Sequence, residues 1–256
     1  MKRAHPIHVG TCGFSGSMGS YFKHFRAVEI EQTFYSLPRI GTASKWARAA
    51  PEGFTFTMKA WQGITHDASS PTWKKAKMPV GSDLSRFGHF RPTDEVFAAW
   101  DATRRFAKEL GASFVVIQSP RSFGMSAQNE VNLESFFTSI ERGGLAIGWE
   151  PRGTWSDDQA RLRRIFSRLN VVHIVDPFWD TPLSDLPLSY FRLHGRGKQL
   201  TYKSDYTDDD LRELVKLALE RSKSGPVYIM FNVVEMRNVA GRFLDLLEES
   251  APGSVE

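Results

Sequence analysis

Short apolar or alternating runs recur along the chain: IHVGTCGF (7–14), AVEIEQTF (27–34), FTFTMKAW (54–61), SFVVIQSP (113–120), LAIGWEPR (145–152), VVHIVDPF (171–178), LSYFRLHG (188–195) and PVYIMFNV (226–233). Runs of this length and β-branched or aromatic content read as strands. Between several of them the apolar period lengthens to that of a helix. TDEVFAAWDATRRFAKELGA has a capping-type Thr93, acids in its first turn, apolar Val96, Trp100, Phe106 and Leu110, and a terminating Gly111. NLESFFTSIE (132–141), SDDQARLRRIFSRL from Ser156, TDDDLRELVKLALERS from Thr207 and RNVAGRFLDLLEE near the C-terminus follow the same period. Strands alternating with helices predict parallel βαβ units. Eight strands in 256 residues predict an α/β fold, a single (β/α)8 TIM-like barrel domain over 1–256, for which roughly 250 residues is typical.

One stretch breaks the rhythm. Residues 66–92, HDASSPTWKKAKMPVGSDLSRFGHFRP, form a long loop after strand 3, rich in Pro, Ser, Gly and Lys. Loops of this length in compact domains are usually lids or binding loops, with a disordered excursion as the alternative. Because it leaves the C-terminal end of its strand, the expectation is a lid over the barrel's C-terminal mouth.

Period-2 alternation assigns one face of each strand to the barrel interior. That face carries Glu29 and Glu31 on strand 2, Thr57, Lys59 and Trp61 on strand 3, Gln118 on strand 4, and Glu150 and Arg152 on strand 5. Asp176 follows on strand 6, with His173 as the alternative inward residue there, then Tyr190, Arg192 and His194 on strand 7, and Asn232 on strand 8. The C-terminal ends of barrel strands are where catalytic groups sit. A bland reading competes: buried opposite charges, Glu31 beside Lys59 and Glu150 near Arg152, can neutralise one another and merely fill the interior. Interiors of this kind are more often filled by Val, Ile and Leu, so polar groups from most strands favour a pocket. His66, just past strand 3, reads either as a lid residue or as an exposed one. Cys12 reads as a small buried residue, for want of a base to activate it.

Composition narrows the classes. With 41% hydrophobic and 24% charged residues the chain can bury a sizeable core, and its net charge of +4 is dispersed, which pulls only weakly toward anions. A single cysteine excludes an intramolecular disulfide framework and fits a reducing compartment. No run approaches the apolar length of a membrane span, and MKRAHPIHVG lacks a signal-peptide apolar region. The expectation is a cytoplasmic protein without a membrane partner; the oligomeric state is left open.

Several strings are familiar as a set: VEIEQTFYSLP (28–38), FTMKAWQGITH (56–66), IQSP (117–120), WEPRGTW (149–155), YFRLHG (190–195) and MFN (230–232). In order and spacing they resemble the YecE-like family, domain of unknown function 72, over nearly the whole chain. The resemblance implies a TIM-like barrel with an open polar pocket at one end and no established activity. The family's usual VEINSTFY is VEIEQTFY here, keeping Glu29, Thr33, Phe34 and Tyr35 but with Glu31 where Asn is common. QLPP becomes QSPR; EFRHxSW becomes EPRGTW, retaining Glu150, Arg152 and Trp155; Val233 stands where a second Asn is common. Carried over residue by residue, the set is Glu29, Lys59, His66, Gln118, Glu150, Arg152, Arg192, His194 and Asn232.

These residue types point first to an enzyme acting on a small or terminal anionic, phosphate-bearing group. Arg192, Arg152 and Lys59 would hold the anion, since guanidinium forks match phosphate geometry. Glu150 or Glu29 would be the general base, His194 an acid or base, and Lys59 a further catalytic group. His66, Gln118, Tyr190 and Asn232 would contact the substrate. GRGKQLTYK (195–203), after strand 7, offers glycines and cations where TIM barrels often bind phosphate, without P-loop spacing. No cofactor is expected, and no metal-ligand spacing appears. A divalent metal among Glu29, Glu31, Glu150, Asp176 and a His would make an alternative hydrolase, nuclease or isomerase-like barrel, opposed by the neighbouring cations. A Schiff-base role for Lys59 is disfavoured, because acidic neighbours keep it charged. Outside the enzymes, Lys74, Lys75 and Lys77 with Trp73 could track nucleic acid, although a solvated loop explains those lysines equally well.

Overall fold

The computed structural model describes residues 4–78, 82–196 and 206–253. The described residues form eight strands. In chain order the elements are β1 (Ile7–Cys12), α1 (Met18–Tyr21), β2 (Ala27–Ile30), α2 (Ile40–Ala49), β3 (Thr55–Lys59), α3 (Asp94–Leu110), β4 (Phe114–Gln118) and α4 (Ala127–Ser139). They continue with β5 (Ala146–Glu150), α5 (Gln159–Leu169), β6 (Val172–His173), β7 (Ser189–Leu193), α6 (Asp208–Ser222), β8 (Val227–Phe231) and α7 (Met236–Ser250). The sheet order is β6-β5-β4-β3-β2-β1-β8-β7, and a parallel bridge between Val175 and Phe191 links the chain after β6 to β7. This is the α/β, (β/α)8 TIM-like barrel that the rhythm of the sequence predicts.

The chain divides into two compact units: Met1–Ile30, Ala50–Phe56 and Val172–Glu256, and Glu31–Ala49 with Thr57–Val171. In the first, β1 lies between β2 and β8, with Cys12 opposite Glu29 and Ile7 opposite Val227, and β8 pairs in turn with β7. Gly10 permits the β1–β2 approach, because a Cβ there would sit 2.2 Å from the Ala27 carbonyl oxygen. The buried Tyr21 hydroxyl donates to that same carbonyl at 2.8 Å and accepts the Thr11 N–H at 2.9 Å. Burial pushes its pKa up, so it stays a neutral donor.

In the second unit, β3 pairs with β4 and β4 with β5, placing Lys59 opposite Val116 and Gln118 opposite Glu150. α3 begins and ends as its sequence predicts. The Thr93 side chain accepts the Val96 N–H at 3.3 Å, and Gly111 takes the left-handed conformation at φ 68°. The core is aromatic, with Trp100, Trp149, Trp155, Phe90, Phe123 and Phe136 all buried.

The described parts of the segment after β3, 66–78 and 82–92, are built rather than loose. Two short 3-10 turns, Pro71–Lys75 and Leu84–Arg86, carry Trp73 and Phe87 against Trp61, with ring centroids at 6.2 and 5.6 Å. Its far end bonds back to the exit of β3: Gly88 N–H to Gly63 O at 2.9 Å, His89 N–H to Thr65 O at 3.0 Å and Phe90 N–H to Ile64 O at 2.9 Å.

Several element ends differ from the sequence reading. β2 stops at Ile30 because Glu31 turns helical (φ −79°, ψ −33°) and opens a 3-10 turn over Gln32–Phe34. β6 keeps only Val172–His173, so Asp176 lies beyond it, as Arg152, His194 and Asn232 lie beyond β5, β7 and β8. α4 starts earlier, at Ala127, where the Ser126 side chain accepts the Asn129 N–H at 3.1 Å. Among the described residues no helix is long and apolar enough to cross a membrane.

Candidate functional site

Each unit gathers one group of the sequence-selected residues. In the first unit, Glu29 on β2 and Arg192 on β7 are both fully buried. The guanidinium meets the carboxylate with both prongs, Nε to Oε2 at 3.1 Å and Nη2 to Oε1 at 2.9 Å, and the Tyr190 hydroxyl donates to Oε2 at 2.8 Å. Arg192 Nη2 also lies 3.6 Å from Cys12 Sγ. A buried pair repays its desolvation only with geometry of this kind, in which extra hydrogen bonds satisfy the remaining lone pairs. Arg192 is therefore committed to Glu29.

Just past β7, the His194 backbone N–H donates to Asp176 Oδ2 at 2.8 Å, and its ring Nδ1 lies 3.7 Å from that oxygen. The other Asp176 oxygen accepts the Phe178 N–H at 3.1 Å, and Trp179 stacks on the His194 ring at 5.9 Å. His173 is occupied elsewhere, its Nδ1 accepting the Leu183 N–H at 3.1 Å. Asn232, half-buried past β8, donates its N–H to Leu193 O at 2.8 Å. Of the loop after β7, positions 197–203 lie outside the described residues.

The second unit holds the other group. Lys59 ends β3, with its ammonium 3.5 Å from Glu31 Oε2 and 4.3 Å from the centroid of the Phe34 ring. The Thr33 hydroxyl donates to the Lys59 carbonyl at 2.6 Å, tying the 3-10 turn after β2 to the strand. A second 3-10 turn, Gln62–Ile64, brings the chain round to His66, whose N–H donates to Gln62 O at 2.8 Å. His66 is buried, edge-on to Phe34 at 4.8 Å, with Nδ1 2.8 Å from the Thr65 hydroxyl. Burial first, and the Lys59 charge second, push its pKa down to about 3, so the imidazole is neutral at physiological pH. When the Thr65 hydroxyl donates to Nδ1, the ring proton sits on Nε2, which makes no hydrogen bond among the described residues.

Gln118 and Glu150 end β4 and β5 side by side. The nearly buried Glu150 carboxylate is ion-paired with Arg152, which follows Pro151 into a turn at Gly153. That turn needs glycine, since φ is 80° and a Cβ would lie 2.6 Å from the Arg121 carbonyl oxygen. The structure thus brings together Glu29, Tyr190 and Arg192; Lys59 and His66; and Gln118, Glu150 and Arg152. Sequence reading passed over Thr65, whose hydroxyl meets His66 Nδ1, and Trp179, which stacks on His194; it named Phe34 only as a family position, not as the ring beside His66. Only the adjacency of Thr65 to His66 offered a signal.

The family description "protein of unknown function DUF72" matches residues 14–253. The chain belongs to the DUF72 family. This DUF72 protein is similar to UPF0759 protein YunF of Bacillus subtilis (strain 168), 39% identical over 72 residues. That match spans 28% of this chain and 23% of the length of that relative. A DUF72 family protein from Enterococcus faecalis V583 superimposes with TM-score 0.74 at 20% identity, covering 96% of this chain and 97% of the other. One from Thermotoga maritima MSB8 gives 0.67 at 21% identity, covering 95% and 100%. Endonuclease IV from Thermus thermophilus gives 0.50 at 13% identity, covering 96% and 100%. At these identities the structural likenesses are likenesses of fold.

Proposed function

We propose that this DUF72 protein is an enzyme acting on a small or terminal anionic, phosphate-bearing group at the C-terminal ends of β3, β4 and β5. One observation carries the reading: His66 is held neutral beside the Lys59 ammonium, with Nε2 unspent. A strongly perturbed titratable group next to a specific charge is a mark of functional sites. Lys59 has three donors and spends them on one carboxylate oxygen at 3.5 Å and an aromatic face, so it retains capacity for an anion. A neutral imidazole can polarise a substrate oxygen by donating from Nε2, without needing to ionise. Glu150, positioned by Arg152, is the group to accept a proton from the nucleophile, and Gln118 beside it offers an amide to orient that nucleophile.

Glu29, Tyr190 and Arg192 then act as a framework, and His194 as a buried ring positioned from Asp176. Each acid of the metal alternative already faces a cation or backbone N–H, Glu31 facing Lys59 and Glu150 facing Arg152, which favours an anionic ligand over a divalent cation. The lone Cys12 supports a reducing, cytoplasmic setting.

The test is a panel of phosphate monoesters and diesters offered to the purified protein, with inorganic phosphate as the binding probe. Turnover should fall about a hundredfold or more in Lys59→Met and His66→Gln, and phosphate should raise the His66 pKa in the wild type. A panel with no turnover, together with phosphate that leaves the His66 titration unmoved, would overturn the reading.

A further inference from the structure

Two aromatic stacks rise toward the surface from the first unit, and neither has a role in the proposed reaction. In one, the buried His194 ring lies under Trp179 at a centroid distance of 5.9 Å and an interplanar angle of 24°. Trp179 is 37% exposed and the only aromatic among the exposed large apolar residues described. Its backbone is fixed as well, since its N–H donates to the Asp176 carbonyl at 3.0 Å. In the other stack, the buried Tyr206 ring meets Phe178 at 5.5 Å and 32°, and the Arg196 guanidinium lies over Phe178 at 4.4 Å. Arg196 is exposed and steadied by Asp210, with Nε 2.9 Å from Oδ1.

Both stacks therefore carry a planar group at an exposed position. Trp179 follows β6 and Arg196 follows β7, neighbouring strands joined by the bridge at Val175, so both lie at C-terminal strand ends, where barrels of this class take their ligands. A large exposed aromatic costs solvation, and holding it rigid on a buried ring removes the freedom that would otherwise offset it; a pre-ordered surface of that kind is suited to stacking. Indole faces and guanidinium planes are also the two protein surfaces on which nucleobases stack, and the guanidinium adds a charge for the phosphate that accompanies a base.

We propose that Trp179 and Arg196 form a stacking platform for a planar base bearing a phosphate. The same chemistry is presented by a free nucleotide and by the end of a nucleic-acid strand. Neither Lys59 nor His66 takes part, so the platform stands or falls separately from the proposed reaction.

Calorimetric titration of the full chain with AMP, adenosine, ribose 5-phosphate and a five-nucleotide deoxyadenosine strand tests it. AMP and adenosine should bind, and Trp179→Ala should weaken both about tenfold or more. Trp179→Phe, which keeps a flat ring, should stay near wild-type affinity while losing the part of the fluorescence quenching that comes from Trp179 itself. Arg196→Ala should weaken AMP but leave adenosine unchanged. Tighter, salt-sensitive binding of the strand than of AMP would identify a strand end as the source, and equal or weaker binding a free nucleotide. Ribose 5-phosphate binding as tightly as AMP, AMP failing to bind, or Trp179→Ala binding AMP like wild type with an unchanged melting temperature would each overturn the platform.

Discussion

Arg192 and Lys59 are both cations at strand positions that alternation turns inward, yet their surroundings assign them different work. Arg192 has no exposed surface and spends both prongs on Glu29. Arg192→Met would strip the buried Glu29 carboxylate of its guanidinium and should cost about 3 to 5 kcal/mol by denaturant titration. A loss under about 1 kcal/mol would mean that water or a neighbour rescues Glu29. His66 makes a different demand. Its folded pKa of about 3 lies below the unfolded value of about 6.5, so between those limits the unfolded chain binds more protons. Stability contributed by the neutral imidazole is complete above about pH 6.5 and is lost as pH falls toward 3, by at most about 1.4 kcal/mol per unit. His66→Gln should therefore flatten the acid limb of the stability curve, and superimposable curves for the two proteins would contradict the burial of a neutral ring.

Among the elements, the segment after β3 contains one especially close backbone approach. Gly88 has φ 81°, and a Cβ there would lie 2.3 to 2.5 Å from the backbone of His66 and Asp67. Gly88→Ala should undock the segment, costing more than about 1 kcal/mol and exposing residues 82–92 to faster limited proteolysis. Unchanged cleavage would show that the loop can shift to accept the methyl. The tight fit was invisible in a string of Ser, Pro, Gly and Lys, because Trp73, Phe87 and Phe90 have no period there. Strands were legible where apolar residues run together, as in FVVIQ and VYIMF. Their ends were not: AVEIEQTF reads as one run although Glu31 has already turned helical, and β6 shrinks to two residues though VVHIVDPF reads as a full strand. α2 is harder to read because IGTASKWARA is only ten residues long and mostly small or polar, although Ile40, Ala43, Trp46 and Ala47 keep a helical spacing.

For the molecule as a whole, fold class was the most legible property, since alternation of strand and helix survives errors at every boundary. Which polar groups meet was the least legible. Parity chose Glu29, Lys59 and Arg192 alike, and only three-dimensional neighbours distinguish a committed guanidinium from a lysine with a donor to spare. The first unit is assembled from three separate chain segments, with β1 between β2 and β8. An excised 172–256 fragment lacks β1 and β2 and should show no cooperative thermal transition by circular dichroism; a sharp one would mean that β7 and β8 with their helices suffice. Cys12 gives a way to watch the same region open in the intact protein. It is the chain's sole cysteine, 7% exposed at the end of β1, with the Arg192 guanidinium 3.6 Å from its sulfur. An alkylating reagent cannot reach the sulfur until β1 and its neighbours part, so the labelling rate in native buffer clocks how often the Glu29–Arg192 pair lets go, and the clock should run faster in Arg192→Met.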